Sequence, residues 1–238
     1  MMTVRRRRHE AGHNATVGER RTRVFSFRSA RHVRMSHGRF FALVDGVFAI
    51  ATTLLVLELR VPAHVASGQL SHTLSELRPS FVAYAIGFLQ TFGGWSVSHR
   101  LSARLRGVDQ WMILSLGLGL AFVSLIPFST SALAVSFHDE ANFKVAVALV
   151  SGLGLLSTLS LVIATVHAYR AGYFLPGYTA EHHGWLVRLM IGAVAGFAVA
   201  FALSFVAPGL ALVPVVIGYA ATLLPLRIDE FPCVGEVA

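Results

Sequence analysis

The chain has 238 residues, 55% of them hydrophobic and only 13% charged, with a formal net charge of +8. Its apolar residues lie in long blocks instead of alternating with polar ones, which excludes a soluble globular domain and marks an integral membrane protein. A single cysteine, Cys233, permits no internal disulfide.

Residues 1–38, with RRRRHEAGHN and ERRTRV, are polar and lack helical periodicity. They are expected to form a basic, disordered cytosolic arm close to anionic lipid. Aromatic residues are not interleaved with its arginines at regular spacing, so nucleic acid is not an expected partner. The apolar run that follows has no A-x-A cleavage site, so its helix is expected to be retained, and Met35 offers an alternative start of translation.

Apolar runs near 40–59, 80–99, 111–135, 144–167, 187–207 and 209–226 each approach the roughly 20 residues that a hydrocarbon core requires. The pattern predicts an all-α membrane protein whose six transmembrane helices fill residues 39–227, followed by a short cytosolic tail, 228–238. With the amino terminus inside, the cytosolic side holds the arginines up to Arg39 together with Arg100, Arg104, Arg106, Arg170, Arg188 and Arg227. Only Arg60, Arg78 and Lys144 fall outside. That asymmetry predicts six spans with both termini in the cytosol. The chain is expected in the plasma membrane as a multi-pass protein.

The first span, RFFALVDGVFAIATTLLVLEL, carries Asp45 about 9 Å from its cytosolic end and Glu58 near the other. An ionisable group in a span is costly and marks function or a protein partner. At 100° per residue, Ile50, Thr53, Leu54 and Leu57 fall on one narrow stripe, and Asp45 falls nearly opposite. Such a helix suits either a pore lining or a lipid-facing surface. Arg39 and Asp45, spaced i, i+6, lie on different faces, so Asp45 needs a donor on another helix. In the second span Trp95 reaches the same depth, and Trp95 and His99 are the candidates, although a Trp at this level also serves as an interface anchor. Glu58 fits either an acidic ring at an outer mouth or a pair with Arg60.

In the third span, Pro127 interrupts the apolar run LIPFSTSAL and predicts a kink whose freed carbonyl a nearby Ser or Thr satisfies. The segment AEHHGW reads as a loop; adjacent histidines do not converge on one metal, and no metal site is expected. Gly192 and Gly196 in the fifth span form a small-xxx-small pattern that predicts close helix packing. VIGYA in the sixth lacks the threonine, final glycine and pore helix of a carbonyl filter. No nucleophile elbow, HExxH, phosphate loop or carboxylate pair on one face is present, which argues against an enzyme. A secondary transporter, the alternative reading, calls for broken helices in corresponding halves of a repeat, and no internal repeat is found.

The first three spans resemble the transmembrane protein 175 family, potassium-permeable channels of endolysosomes and prokaryotes that lack the usual filter loop. That family's first helix carries R-x-x-x-F-S-D, then GVFAIAxTLLVLEL-like sequence and a proline. Here Arg39, Leu43, Val44, Asp45 and GVFAIATTLLVLELRVP stand in register. YAIGFLQTFGGWSVSHR is similar to its Tyr, Phe, Trp and His pattern, and LIPFSTSALAV to its L-P-F-x-T-A-L-L stretch. Leu43 and Val44 replace the signature's Phe and Ser, and Ser115 stands where the family usually has Asn.

The resemblance implies a pore lined by the first helix of each subunit, constrictions at Ile50, Leu54 and Leu57, and homotetramers of single six-helix chains. It implies a passive, leak-type potassium channel with no cofactor, whose partners are its own copies, membrane lipid and permeant cations. Rings of Ile and Leu gate by dewetting, and potassium sheds water more readily than sodium. Thr53 hydroxyls supplement that preference in a polar layer, while Arg39, Asp45, Trp95 and His99 form a structural polar network.

Overall fold

The computed structural model describes residues 37–223, with side chains to 219. The basic arm up to Ser36, with Met35, and the tail, with Arg227 and Cys233, lie outside the described residues. Within them the chain is helical, without a strand; one isolated antiparallel bridge pairs Leu105 with Phe174.

The elements are α1 (His37–Leu54), which tightens into a 3-10 turn at Leu55–Glu58, then α2 (Leu70–Glu76), α3 (Arg78–Ser102), α4 (Gln110–Ser124), α5 (Ile126–Ser136), α6 (Glu140–Arg170), α7 (Ala180–Leu203) and α8 (Pro208–Leu223). Four segments among the described residues are long and apolar enough to cross a membrane: His37–Glu58, Gln110–Ser136, Glu140–Arg170 and Ala180–Leu203. The expectation of six spans therefore meets that standard at four. α3 has the length, 25 residues, but Gln90, Thr91, Ser96, Ser98, His99 and Arg100 dilute its apolar character, and α8 has 16 residues. The short α2 was not expected; it buries no residue and sits in the connection after the first span.

Pro127 does more than kink its span. The helix stops at Leu125 and restarts at Ile126, with Pro127 in the first turn of α5, where a missing N–H costs nothing. The Leu125 N–H donates to Phe122 O at 3.1 Å and is shared with Val123 O, the carbonyl that the proline frees. The hydroxyls of Ser129 and Thr130 instead donate to Ile126 O at 2.8 and 2.9 Å, so the expected Ser/Thr rescue is directed at a different carbonyl.

α6 ends in a Schellman motif. Tyr173 N–H donates to Ala168 O and Gly172 N–H to Tyr169 O, with Gly172 at φ 70°, a conformation that favours glycine. The reversal lets Leu175 N–H reach Arg104 O and Arg106 N–H reach Tyr173 O, clasping the α3–α4 connection to the α6–α7 connection. AEHHGW, expected as a loop, instead opens α7, where the Thr179 side chain caps the helix and His182 reaches back to the Thr179 N–H. In the predicted glycine pair of α7, only Gly196 approaches α8, with Pro214 O 3.8 Å from where its Cβ would lie; Gly192 faces open space.

Two cores form. One gathers Phe40, Phe41, Val44, Phe48 and Leu55 of the first helical segment with Leu101, Met112, Leu116 and Met190. The other gathers Ala83, Ile86, Leu133, Val147, Val150, Phe197 and Val215. α4 and α6 are further tied by the Ser115 hydroxyl donating to Ser160 O at 2.8 Å and by His167 Nε2 lying 2.7 Å from Asp109 Oδ2.

Asp109 also caps α4, accepting the Met112 N–H at 2.9 Å. Burial by itself would raise its pKa, but the His167 hydrogen bond, the Met112 N–H and the His167 charge together hold it below the ordinary carboxylate value. Stability from Asp109 is therefore present above its unfolded pKa of about 3.9 and lost as pH falls through its lower folded value. Asp109→Ala is expected to cost about 1 kcal/mol at neutral pH, in the range of a lost helix cap. Thermal unfolding at neutral pH and at acid pH checks this, because the deficit relative to wild type should shrink as the native carboxylate protonates.

Candidate functional site

The helix formed by α1 and its 3-10 turn has two unlike faces. Phe40, Phe41, Val44, Phe48, Ala51 and Leu55 are buried against α3, α4 and α5. On the other side Ile50, Leu54 and Leu57 are 60%, 41% and 58% exposed, and Thr53 is exposed between them. The subunit leaves the predicted stripe uncovered while packing the opposite side.

The change from α-helix to 3-10 geometry matters for register. Residues three apart eclipse each other in a 3-10 turn, so Leu57 sits directly over Leu54. By the same rule Glu58 sits over the fully buried Leu55, about a third of a turn from Leu57. A continuous α-helix would have left Glu58 beside the stripe; the tightened turn swings it toward the packed side, half-buried. No Glu58–Arg60 ion pair occurs among the described residues. Arg60 Nε instead donates to Leu57 O at 3.2 Å, covering a carbonyl that the helix end leaves open.

Thr53 Oγ donates to Ile50 O at 2.9 Å, which spends its proton on the backbone and leaves oxygen lone pairs on the exposed face. Thr52, one residue earlier, bonds Phe48 O at 2.8 Å on the half-buried side.

Asp45 Oδ1 accepts a hydrogen bond from Trp95 Nε1 at 3.0 Å, which joins the middle of α1 to the last third of α3. The Trp95 ring stacks on His99, with centroids 5.1 Å apart. Below it Phe92, Phe88 and Tyr84 continue at helical spacing as a ladder of rings along α3. The structure thus brings Asp45, Trp95 and His99 together. Arg39 is exposed and forms no ion pair with Asp45 among the described residues, as their spacing on α1 predicts.

The sequence reading did not single out Gln90, which is 1% exposed in the middle of α3, or the Asp109–His167 tie. Gln90 carried a signal, an amide in the centre of an apolar run; His167 and Asp109, 58 residues apart, carried none. Among the described residues no group of three or more His, Cys, Asp or Glu side chains converges on a metal position. Tyr219 of the VIGYA sequence is buried inside α8 and belongs to a packed helix.

The family described as endosomal/lysosomal potassium channel TMEM175 matches residues 39–127, from Arg39 to the proline that starts α5. A potassium channel of Streptomyces collinus is 32% identical over 177 residues, which cover 74% of this chain and 85% of that one. A potassium channel of Chamaesiphon minutus is 34% identical over 173 residues, covering 71% and 84%. The crystal structure of a lysosomal potassium-selective channel TMEM175 homolog from Chamaesiphon minutus superposes with a TM-score of 0.69 at 30% identity, covering 78% of this chain and 95% of that one. The likeness runs well beyond the stripe-bearing helix and takes in most of each relative, and the chain accordingly belongs to the TMEM175 family, whose members are ion channels and not enzymes.

Proposed function

We propose that this chain is one subunit of a passive, leak-type, potassium-permeable channel of the plasma membrane. The observation that carries the reading is the uncovered Ile50, Thr53, Leu54 and Leu57 stripe on a helix whose opposite face is packed. One stripe cannot enclose a path, so an axial pore needs several copies, and a homotetramer built around α1 is the arrangement we infer. The names of the bacterial relatives, potassium channels, support the choice of ion.

In this assembly each subunit crosses the membrane six times, α3 and α8 included, with both termini in the cytosol. Ile50, Leu54 and Leu57 form rings that exclude bulk water, so a passing ion must shed part of its hydration shell. Potassium does so more readily than sodium, and the Thr53 oxygens offer partial replacement. Glu58 contributes negative potential at the outer mouth from behind the narrowest ring. No cofactor takes part, and membrane lipid surrounds the remaining surface. The test is the reversal potential of the reconstituted protein in planar bilayers under a potassium/sodium gradient. A potential on the potassium side of zero is expected; absence of passive current overturns the proposal.

Two expectations follow for the parts around the pore. The chain divides into a basic arm (1–38), the channel domain (39–227) and a short tail (228–238), and a protein beginning at Met35 is expected to insert, assemble and conduct as the full chain does. Size-exclusion chromatography and bilayer recording check this.

The polar network of Asp45, Trp95 and His99, which Arg39 does not join among the described residues, is structural. Asp45→Ala leaves the Trp95 N–H without its acceptor, an effect of about 1 kcal/mol or roughly fivefold in an equilibrium. Assembly or open probability should fall accordingly, with the potassium-to-sodium ratio unchanged. Trp95→Phe removes the same bond and keeps the stacked ring, so it should act in the same direction. A variant that assembles and opens normally but loses selectivity would place Asp45 on the ion path.

A further inference from the structure

Behind α1, on the side away from the exposed stripe, the helices line a partly open cavity of about 50 Å³. Val44 and Phe48 form its α1 wall, and Leu116, Leu120, Val123 and Ile126 most of its apolar remainder. Polar groups enter from three other helices: Gln90 and Ser98 from α3, spaced eight residues apart on one face, Ser157 and Thr158 from α6, and Tyr219 from α8. A second void of about 30 Å³ shares Gly94, Thr158, Leu161 and Tyr219 with the first and continues toward α7. Gly94 and Gly119 help to open the space, since Gly94 would meet Phe48 and Gly119 would meet Ser160 within 3.3 Å if either carried a Cβ.

Gln90 is 1% exposed, and its two amide atoms are treated unequally. Nε2 donates to Val150 O at 3.3 Å, while Oε1 accepts no hydrogen bond from the described residues. A buried acceptor of this kind is normally satisfied by ordered water when protein donors are absent. Ser157 Oγ gives its proton to Gly154 O at 3.1 Å, which leaves its oxygen as an acceptor shared between the neighbouring Tyr219 hydroxyl, itself in hydrogen-bonding reach of Thr158, Ser157 and Gln90, and a guest. The site therefore offers acceptors and hydroxyls to a guest that can donate twice.

Size decides what that guest is. A benzene-sized molecule occupies an internal cavity of roughly 150 Å³, whereas a water needs on the order of 10–15 Å³ of such space and two to four polar partners. The cavity is too small for the first and ample for a small cluster of the second.

We propose that the cavity lined by α1, α3, α4, α5, α6 and α8 is an internal hydration site, in which water donates to Gln90 Oε1 and to the Ser157 hydroxyl and bridges α3 to α6 beneath Phe48. The water is a ligand of the subunit and takes no part in permeation, because the stripe residues face the other way. The proposal stands independently of what the stripe lines, since it concerns only the packed side of α1. Loss of this water removes support from beneath Phe48 and alters how firmly α1 is seated.

The test is a cryo-EM or crystal structure of the full chain in lipid, at a resolution that orders internal water. Density within roughly 2.7–3.2 Å of Gln90 Oε1 is the expected result. A Gln90 amide that meets a protein donor directly, with no density in the cavity, overturns the proposal.

Thermal unfolding gives a second readout through Gln90→Leu, Ser157→Ala and the double variant. With a shared water, Gln90→Leu expels the guest, so the Tm shift from Ser157→Ala falls to less than half on that background. Equal shifts on both backgrounds overturn the proposal. Neither measurement depends on current, so a failure here is distinct from a failure of the channel reading.

Discussion

Leu54→Ala and Leu57→Ala channels are expected to pass several-fold to tenfold more cation current than wild type, with weaker preference for potassium over sodium. Each removes apolar bulk from the uncovered face of the first helical segment, which in the proposed assembly would widen a dewetted constriction and lower the cost of carrying hydration water through it. A tenfold rise corresponds to about 1.4 kcal/mol off the barrier. Because both side chains are largely exposed within the subunit, their truncation should cost the fold little.

Leu55, between them and fully buried, supplies the contrast. Leu55→Ala is expected to destabilise by about 2–5 kcal/mol, as core leucines do. Leu59→Ala, off the stripe, should alter neither current nor selectivity much. Planar-bilayer conductance and reversal potentials of the four variants, beside their unfolding temperatures, separate the cases. Equal and small effects on current at 54, 57 and 59 would remove the stripe from the ion path.

Gly87→Ala should be among the most damaging small substitutions in the subunit. A Cβ there would lie 2.5 Å from Thr130 Oγ and 2.9 Å from Leu55 Cδ2, so α3 would have to move away from α5 and from the 3-10 turn that carries Leu57. Overpacking of this kind costs about 1–3 kcal/mol. Unfolding temperature of the purified assembly should fall, and single-channel recordings should show altered opening, because the turn that ends the first span is seated on this contact.

Thr130→Ala on the Gly87→Ala background is expected to restore part of the loss. It removes the nearest atom, and the Thr130 hydroxyl is otherwise used only in an i, i−4 bond to Ile126 O. A Gly87→Ala protein as stable as wild type would mean that α3 and α5 do not approach each other as closely as described.

The membrane class, helical fold and stripe-bearing helix were all legible in the residues, because hydrophobic run length and a 100° repeat are local properties of a chain. Asp45 could be recognised as needing a partner, and Trp95 as lying at its depth, since both follow from rise per residue. Proline placement marked the interruption near Pro127. It did not say which carbonyl the neighbouring hydroxyls would take, because that depends on how the broken turn relaxes.

The tertiary structure decided what no local pattern encodes. It tightened Leu55–Glu58 into a 3-10 turn, keeping Leu54 and Leu57 aligned and carrying Glu58 toward the packed side. It paired Asp109 with His167 across 58 residues and folded AEHHGW into the first turn of α7. It also left Gln90 beside a cavity that exists only where six helices meet. The physical reason is common to these cases. Sequence by itself determined which faces are apolar and how long each helix runs, whereas the side chain that a polar group meets across a helix boundary depends on interhelical register, set by packing of the whole bundle.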